Sequence, residues 1–181
     1  LVLLLPAIPL LYFQEPDRGL DAVWTVSGVI WLAFPAALLV FLRTEYGFDA
    51  LLVLMLGTVL QDSLAYYSGY LFGGDTPFTP NLSPNKTWAG FFGGLFGMLL
   101  VVLAGGFYMN WPLVLTGALG LLLGGVGQAG DLSISALKRR LELDDTGSIF
   151  PGHGGILDRV DALVFNVVLF YPFCELIERY D

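Results

Sequence analysis

Residues 111–140 read WPLVLTGALGLLLGGVGQAGDLSISALKRR. From Trp111 to about Gly130 the stretch is apolar and glycine-rich, and it reaches the length of about 20 residues that a bilayer-crossing helix needs. It then turns polar, and the helix is expected to run on past Lys138. Asp131, Ser135 and Lys138 stand at i, i+4 and i+7, one stripe on such a helix with apolar residues between them. The stripe begins while the chain is still leaving the span. A carboxylate at that depth is costly unless it is paired or bound to a metal. A plain juxtamembrane surface position is the alternative for Asp131.

The rest of the chain has the same character. Of its 181 residues 56% are hydrophobic and 13% charged, and the mean hydropathy is +0.73. Soluble domains carry about 25% charged residues, so there is too little polar surface here for a water-soluble globule. The expected fold is all-α: a polytopic integral membrane protein of about six transmembrane helices, the first truncated, with two polar loops forming the site. The spans fall at residues 1–13, 22–42, 48–72, 88–109, 111 to about 130, and 162–177. Two connections are long, 73–87 and about 131–161. Residues 1–181 read as a single membrane domain with no internal repeat. The chain opens at Leu1 inside an apolar run, which reads as the C-terminal portion of a longer protein and not as a signal peptide.

Composition also excludes several classes. The net charge of −8 argues against a nucleic-acid partner. One cysteine, Cys174, permits no intrachain disulfide, and it reads as a small core or lipid-facing residue. One histidine and one cysteine cannot supply a usual zinc site. No GxxxxGK[ST] phosphate loop occurs. The glycines of FFGGLFG and GALGLLLGGVG suit close helix packing.

Lys and Arg set the sidedness. Loops one, three and five hold Arg18, Lys86, Lys138, Arg139, Arg140 and Arg159, whereas loops two and four and the C-terminus hold Arg43 and Arg179. Loops three and five are therefore expected on the cytoplasmic side, where nucleotides are.

Three polar groups stand out in those loops and beside them. In GHGGILDRVD, Asp158 and Asp161 lie one helical turn apart at the start of the sixth span. Acidic residues there favour the helix dipole. Yet His153, Gly154 and Gly155 precede them and Arg159 stands between them. Paired glycines and a helix start expose N–H groups to an anion, and hard carboxylate oxygens suit Mg²⁺ bridged to a polyphosphate. His153 reads as a hydrogen-bond donor to phosphate or as a packed turn residue. In NLSPNKTWAG, Ser83-Pro84 reads as an N-cap followed by proline at the first helical position. Lys86 and Thr87 would then fall in the first turn, as a phosphate cradle or simply as part of a capped helix with an interfacial lysine. Asp62 lies deep in the third span, with Tyr66 one turn on. It has four open roles: pairing with a base from another span, binding an ion, facing a polar cavity, or a structural hydrogen bond.

Taken in order, these pieces resemble a known signature. Asp62-Ser-Leu-Ala-Tyr66, Ser83-Pro-Asn-Lys86-Thr87-Trp88-Ala-Gly90, Gly130-Asp131-Leu, Ser135-Ala-Leu-Lys138-Arg139, Asp145-Thr-Gly147 and Pro151-Gly-His153-Gly154-Gly155-Ile-Leu-Asp158-Arg159-Val-Asp161 are similar to the motifs of phosphatidate cytidylyltransferases, also called CDP-diacylglycerol synthases. The likeness spans residues 62–161; the first two spans match only in being hydrophobic. The resemblance implies an Mg²⁺-dependent nucleotidyltransferase, a homodimer, in a bacterial-type cytoplasmic (inner) membrane, its site facing the cytoplasm. It would join CTP to phosphatidate, giving CDP-diacylglycerol and pyrophosphate. Asp131 and Asp158 would be the metal ligands, with a second cation as an option. Lys86, Lys138, Arg139, His153 and Arg159 fall in the nucleotide-handling motifs. Ser83, Thr87, Ser135, Asp145, Gly154, Gly155, Asp161 and Asp62 are carried over as substrate-binding positions. The chain departs from the pattern at Asp144, Asn85 and Ala89, and the stretch after Tyr66, which often carries basic residues in the family, has none here.

The chemistry expected is in-line transfer, catalysed by positioning and charge neutralisation. Two other readings fit parts of the sequence. A CTP-dependent polyprenol or lipid kinase would release CDP instead of pyrophosphate. A transporter using Asp62 would leave the His-Gly-Gly-Asp-Arg-Asp cluster without a role. A CDP-alcohol phosphotransferase would carry a dense single-helix Asp motif, which this sequence lacks.

Overall fold

A computed structural model describes residues 18–80, 83–143 and 157–179, without the side chains of residues 18–27, 84 and 157–159. Among the described residues there are five helices: α1 (Arg18–Glu45), α2 (Gly47–Phe72), α3 (Trp88–Tyr108), α4 (Leu113–Arg140) and α5 (Leu157–Glu178). Each holds a stretch long and apolar enough to cross a membrane. They correspond to the second to sixth spans read from the sequence. The span expected over residues 1–13 lies outside the described residues.

Two short connections need special backbone. Gly47 turns the chain from α1 into α2 at φ 85°, and Asn110 links α3 to α4 at φ 59°, a region that Gly and Asn tolerate best. The third connection is not an irregular loop. Strands β1 (Pro77–Thr79) and β2 (Ser83–Thr87) pair antiparallel, Pro77 opposite Thr87 and Thr79 opposite Ser83.

That hairpin corrects the expected start of α3. Ser83 does not cap a helix and Pro84 is not its first residue; both lie in β2. The cap is Thr87, extended at φ −112° and ψ 159°, whose hydroxyl accepts a hydrogen bond from the Gly90 N–H at 3.1 Å. The physical reason is competition between two capping signals. A residue before proline is steered away from helical backbone, so Ser83 favours the strand, while Thr87 has an N–H three residues on to satisfy. Lys86 accordingly projects from a strand, not from a helical first turn.

Helix packing runs from α1 through α2, α3 and α4 to α5, which closes back on α1 and α2. The core centres on Leu42, Leu54, Met98, Val102, Leu123, Val167 and Phe170, and it includes Cys174. The outer faces are apolar too, with Val59, Phe96, Phe107, Val114 and Leu122 exposed, as lipid requires. Helices in lipid associate through close packing of small residues. Gly97 and Gly90 on α3 show why: a Cβ there would come within 2.8 Å of the Leu60 and Ala65 carbonyl oxygens of α2.

Candidate functional site

At the end of the bundle where α2 stops, α3 starts and α4 turns polar, a cavity of about 500 Å³ opens. One wall is α2, contributing Asp62, Ala65, Tyr66, Gly69 and Tyr70. The hairpin and the start of α3 give Phe78, Asn85, Lys86, Thr87, Gly90 and Phe91. The floor is α4, with Gln128, Asp131 and Leu132. Three groups that the sequence flagged separately, Asp62, Lys86 and Asp131, therefore share one cavity.

Their joining contact is an ion pair. The Lys86 ammonium donates to Asp131 Oδ2 at 2.5 Å, linking β2 to α4 across 45 residues of sequence. The two side chains are 28% and 37% exposed, so the pair lies at the cavity edge and not in a dry interior. Asp131 is thus a paired carboxylate that lines a cavity. Asp62 lies in the electrostatic field of Asp131 and Lys86, as does Asp161. Asp161 Oδ1 also accepts the Ala162 N–H at 2.7 Å.

The lining is also aromatic. Tyr66 and Tyr70, one turn apart on α2, stack with ring centroids 6.5 Å apart, and are 69% and 78% exposed. Phe78 docks the hairpin onto α3, its ring 4.6 Å from that of Trp88 and 4.8 Å from that of Phe91. Tyrosine and tryptophan concentrate at membrane–water boundaries. The cavity joins a charged end to an apolar rim, a shape suited to an anionic amphiphile.

Not every expected residue reaches the cavity. Ser135 and Lys138 continue along α4 in the stripe read from the sequence, and Arg139 follows them, all beyond the lining. Ser83 begins β2, also outside the lining. Asp158 and Arg159 lie in the first turn of α5, their side chains outside those described. Asp145, His153, Gly154 and Gly155 lie outside the described residues. Several lining residues were not singled out beforehand. Gln128 is one: its amide donates to the Phe91 carbonyl at 2.9 Å and ties α4 to α3. Asn166, outside the lining, is a buried amide; with Gln61 it flanks Gly127.

The donors facing the cavity, carboxylates and amide or hydroxyl oxygens, are hard, and so suit Mg²⁺ by chemistry. Among the described residues no three His, Cys, Asp or Glu side chains form a group that could hold a metal ion. A cation at Asp131 therefore needs a further ligand, such as Asp158.

A profile described as the cytidylyltransferase family matches residues 2–177. A phosphatidate cytidylyltransferase of Brucella abortus biovar 1 (strain 9-941) is 38% identical over 182 residues, covering 97% of this chain and 64% of that protein. One from Aquifex aeolicus (strain VF5) is 37% identical over 174 residues, covering 93% of this chain and 64% of its own length. The chloroplastic phosphatidate cytidylyltransferase 5 of Arabidopsis thaliana is 41% identical over 132 residues, 72% of this chain and 33% of that protein. The chain thus spans about 64% of the length of the bacterial relatives. With a match that runs from the first helix to the last and takes in Asp62, Lys86 and Asp131, the chain belongs to the cytidylyltransferase family.

Proposed function

We propose that this chain carries the catalytic membrane portion of an enzyme that transfers the cytidylyl group of CTP to phosphatidate, releasing pyrophosphate. The observation that carries the reading is the Lys86–Asp131 pair beside Asp62, in a cavity with an aromatic rim. A lipid phosphate needs just such a boundary, with charge at one end and apolar surface at the other. The names of the relatives supply the two substrates.

In this proposal an oxygen of the phosphatidate phosphate attacks the α-phosphorus of CTP. The bond from that phosphorus to the bridging oxygen of the β-phosphate breaks, and pyrophosphate leaves with the electron pair. A phosphate monoester is largely ionised at neutral pH, so the step needs no strong general base. Asp131 and Asp158 would hold Mg²⁺, which when bound neutralises charge on the transferring phosphoryl group. Lys86, Lys138, Arg139 and Arg159 would steady the triphosphate. Tyr66 and Tyr70 would border the glycerol end of the lipid. The cytoplasmic side, the inner membrane and a homodimer belong to the same proposal, resting on the Lys and Arg distribution and on the family likeness.

The test is nucleotide selectivity in purified protein with phosphatidate: CTP against dCTP, UTP and ATP, with and without Mg²⁺. The expected result is pyrophosphate release that depends on both CTP and phosphatidate. Release of CDP would replace the reading with the lipid-kinase one, and solute flux without nucleotide would favour a transporter.

A further inference from the structure

We infer that Gly130 is a positioning residue: by seating Phe165 it fixes α5 against α4, and so sets where the acidic start of α5 stands relative to Asp131. The proposal rests on the nucleotidyl-transfer reading for what the site does, and not for how the helices meet.

Gly130 is buried and lies immediately before Asp131 on α4. Phe165 of α5 packs onto its bare Cα. A Cβ at Gly130 would stand 2.5 Å from Phe165 Cδ2, 2.8 Å from its Cγ and 3.1 Å from its Cβ. The inner two atoms decide the matter. The far edge of a ring can turn aside, but Cβ is fixed to the backbone and Cγ to Cβ, so clearing them moves α5 itself. The ring is held further by Trp31 of α1, which meets it in a T-shaped contact with centroids 5.8 Å apart. One turn back along α4 the contact is softer. A Cβ at Gly127 would meet the amide ends of Gln61 and Asn166, which can rotate away while the helices stay in place. Gly130 is therefore the hard point between α4 and α5.

That point lies close to the charges on both helices. Asp131 is the next residue of α4, and Asp161 stands one turn before Phe165 on α5. Asp161 lies in the electrostatic field of Asp131, Asp62 and Lys86. Asp158 and Arg159 occupy the first turn of the same helix. Moving the 2.5–2.8 Å approaches at Gly130 out to ordinary carbon contact displaces α5 by about 1 Å. A misplacement of about 1 Å can cost about 100-fold in rate even when the altered residue touches no substrate.

The test sets Gly130→Ala beside Gly120→Ala. A Cβ at Gly120 would meet the Leu99 Cα at 3.0 Å, so that variant overpacks α4 against α3 instead of α5. Both should unfold at a lower temperature. Below that temperature, Gly130→Ala is expected to lower pyrophosphate release from CTP and phosphatidate by about 30- to 100-fold, while Gly120→Ala stays near the unaltered rate. Geometry is read separately, in protein carrying Asp131→Cys and Asp161→Cys with the buried Cys174 changed to alanine. Bifunctional methanethiosulfonates of stepped length join the two thiols. Gly130→Ala is expected to shift the preferred linker to a longer one, and Gly120→Ala to leave it unchanged. The same linker preference in Gly130→Ala as without it overturns the inference, as does an equal loss of turnover in Gly120→Ala. Should Gly130→Ala not fold, Phe165→Ala decides: emptying the seat is expected to broaden the range of linkers that close, and an unchanged range overturns the inference. If the unaltered protein releases no pyrophosphate, the functional reading falls, and the linkers still decide whether Gly130 sets α5.

Discussion

Two polar corners lie about one helical turn apart in this bundle, and they are built in opposite ways. The outer corner holds Asp62, Asp131 and Lys86, charged groups that open onto a cavity. The inner corner holds Gln61 and Asn166, which are neutral, 0% exposed, and without a hydrogen-bond partner for either amide among the described residues. The same helices supply both: Gln61 precedes Asp62 on α2, and Gly127 lies four residues before Asp131 on α4. The difference follows from desolvation. An amide buried without a partner costs a few kcal/mol, while an isolated buried carboxylate costs far more. Charge therefore lies where a counter-charge from the hairpin can reach it, as Lys86 reaches Asp131. The buried polar side chains among the described residues, Thr58, Gln61, Thr116 and Asn166, are all neutral.

Breaking the outer corner should give the largest effect. Asp131→Asn keeps the shape of the side chain and removes its charge. Under the proposed chemistry, turnover of CTP and phosphatidate should fall about 100-fold or more, the scale of losing a main electrostatic stabiliser. Stability should hardly change, because a partly exposed ion pair contributes about 1 kcal/mol or less. Pyrophosphate release and thermal unfolding in detergent measure the two. Near-normal turnover would sink the role assigned to Asp131.

The inner corner should respond the other way, in stability. A Cβ at Gly127 would sit 2.6 Å from the Gln61 amide nitrogen and 2.7 Å from that of Asn166. Overpacking of this kind costs about 1–3 kcal/mol, so Gly127→Ala should lower the unfolding midpoint. Gly125, two residues away on the same helix, has nothing within 4 Å of its would-be Cβ. Gly125→Ala should be neutral or slightly stabilising, since alanine is the better helix former. Equal losses at the two positions would show that tight packing at the amides is not what fixes Gly127.

The two corners also differ in how far they can be read from sequence. Hydropathy marks the spans, because apolar runs of that length have few other uses. Asp62, Asp131 and Lys86 each draw notice, since charge in or beside a span is costly. Their meeting is not legible. It depends on a hairpin whose pairing joins Pro77 to Thr87, and three short residues in β1 carry too little local signal to announce it. Asn166 and Gln128 stay hidden for a related reason. An amide in an apolar run looks the same whether it faces lipid, a cavity or a neighbouring helix, and only packing decides which. The stripe of Asp131, Ser135 and Lys138 was legible from spacing alone, yet spacing does not tell where the cavity ends along it.

Thr87 connects the outer corner to the helix behind it, and its effect should be the smallest. Its hydroxyl caps α3 through the Gly90 N–H, and the next residue back is Lys86. Thr87→Ala should lose about 1 kcal/mol, the usual cost of removing a helix cap. Thr87→Ser keeps the oxygen and should lose only a fraction of that. The comparison tests the corrected helix start directly. Had Ser83 been the cap, Thr87 would lie inside the first turn and its hydroxyl would matter little, so serine and alanine would behave alike. With Thr87 as the cap, the oxygen is what fixes where the strand ends and the helix begins. That boundary in turn sets the direction from which Lys86 reaches Asp131, so thermal unfolding of Thr87→Ala should fall below that of Thr87→Ser in the same detergent.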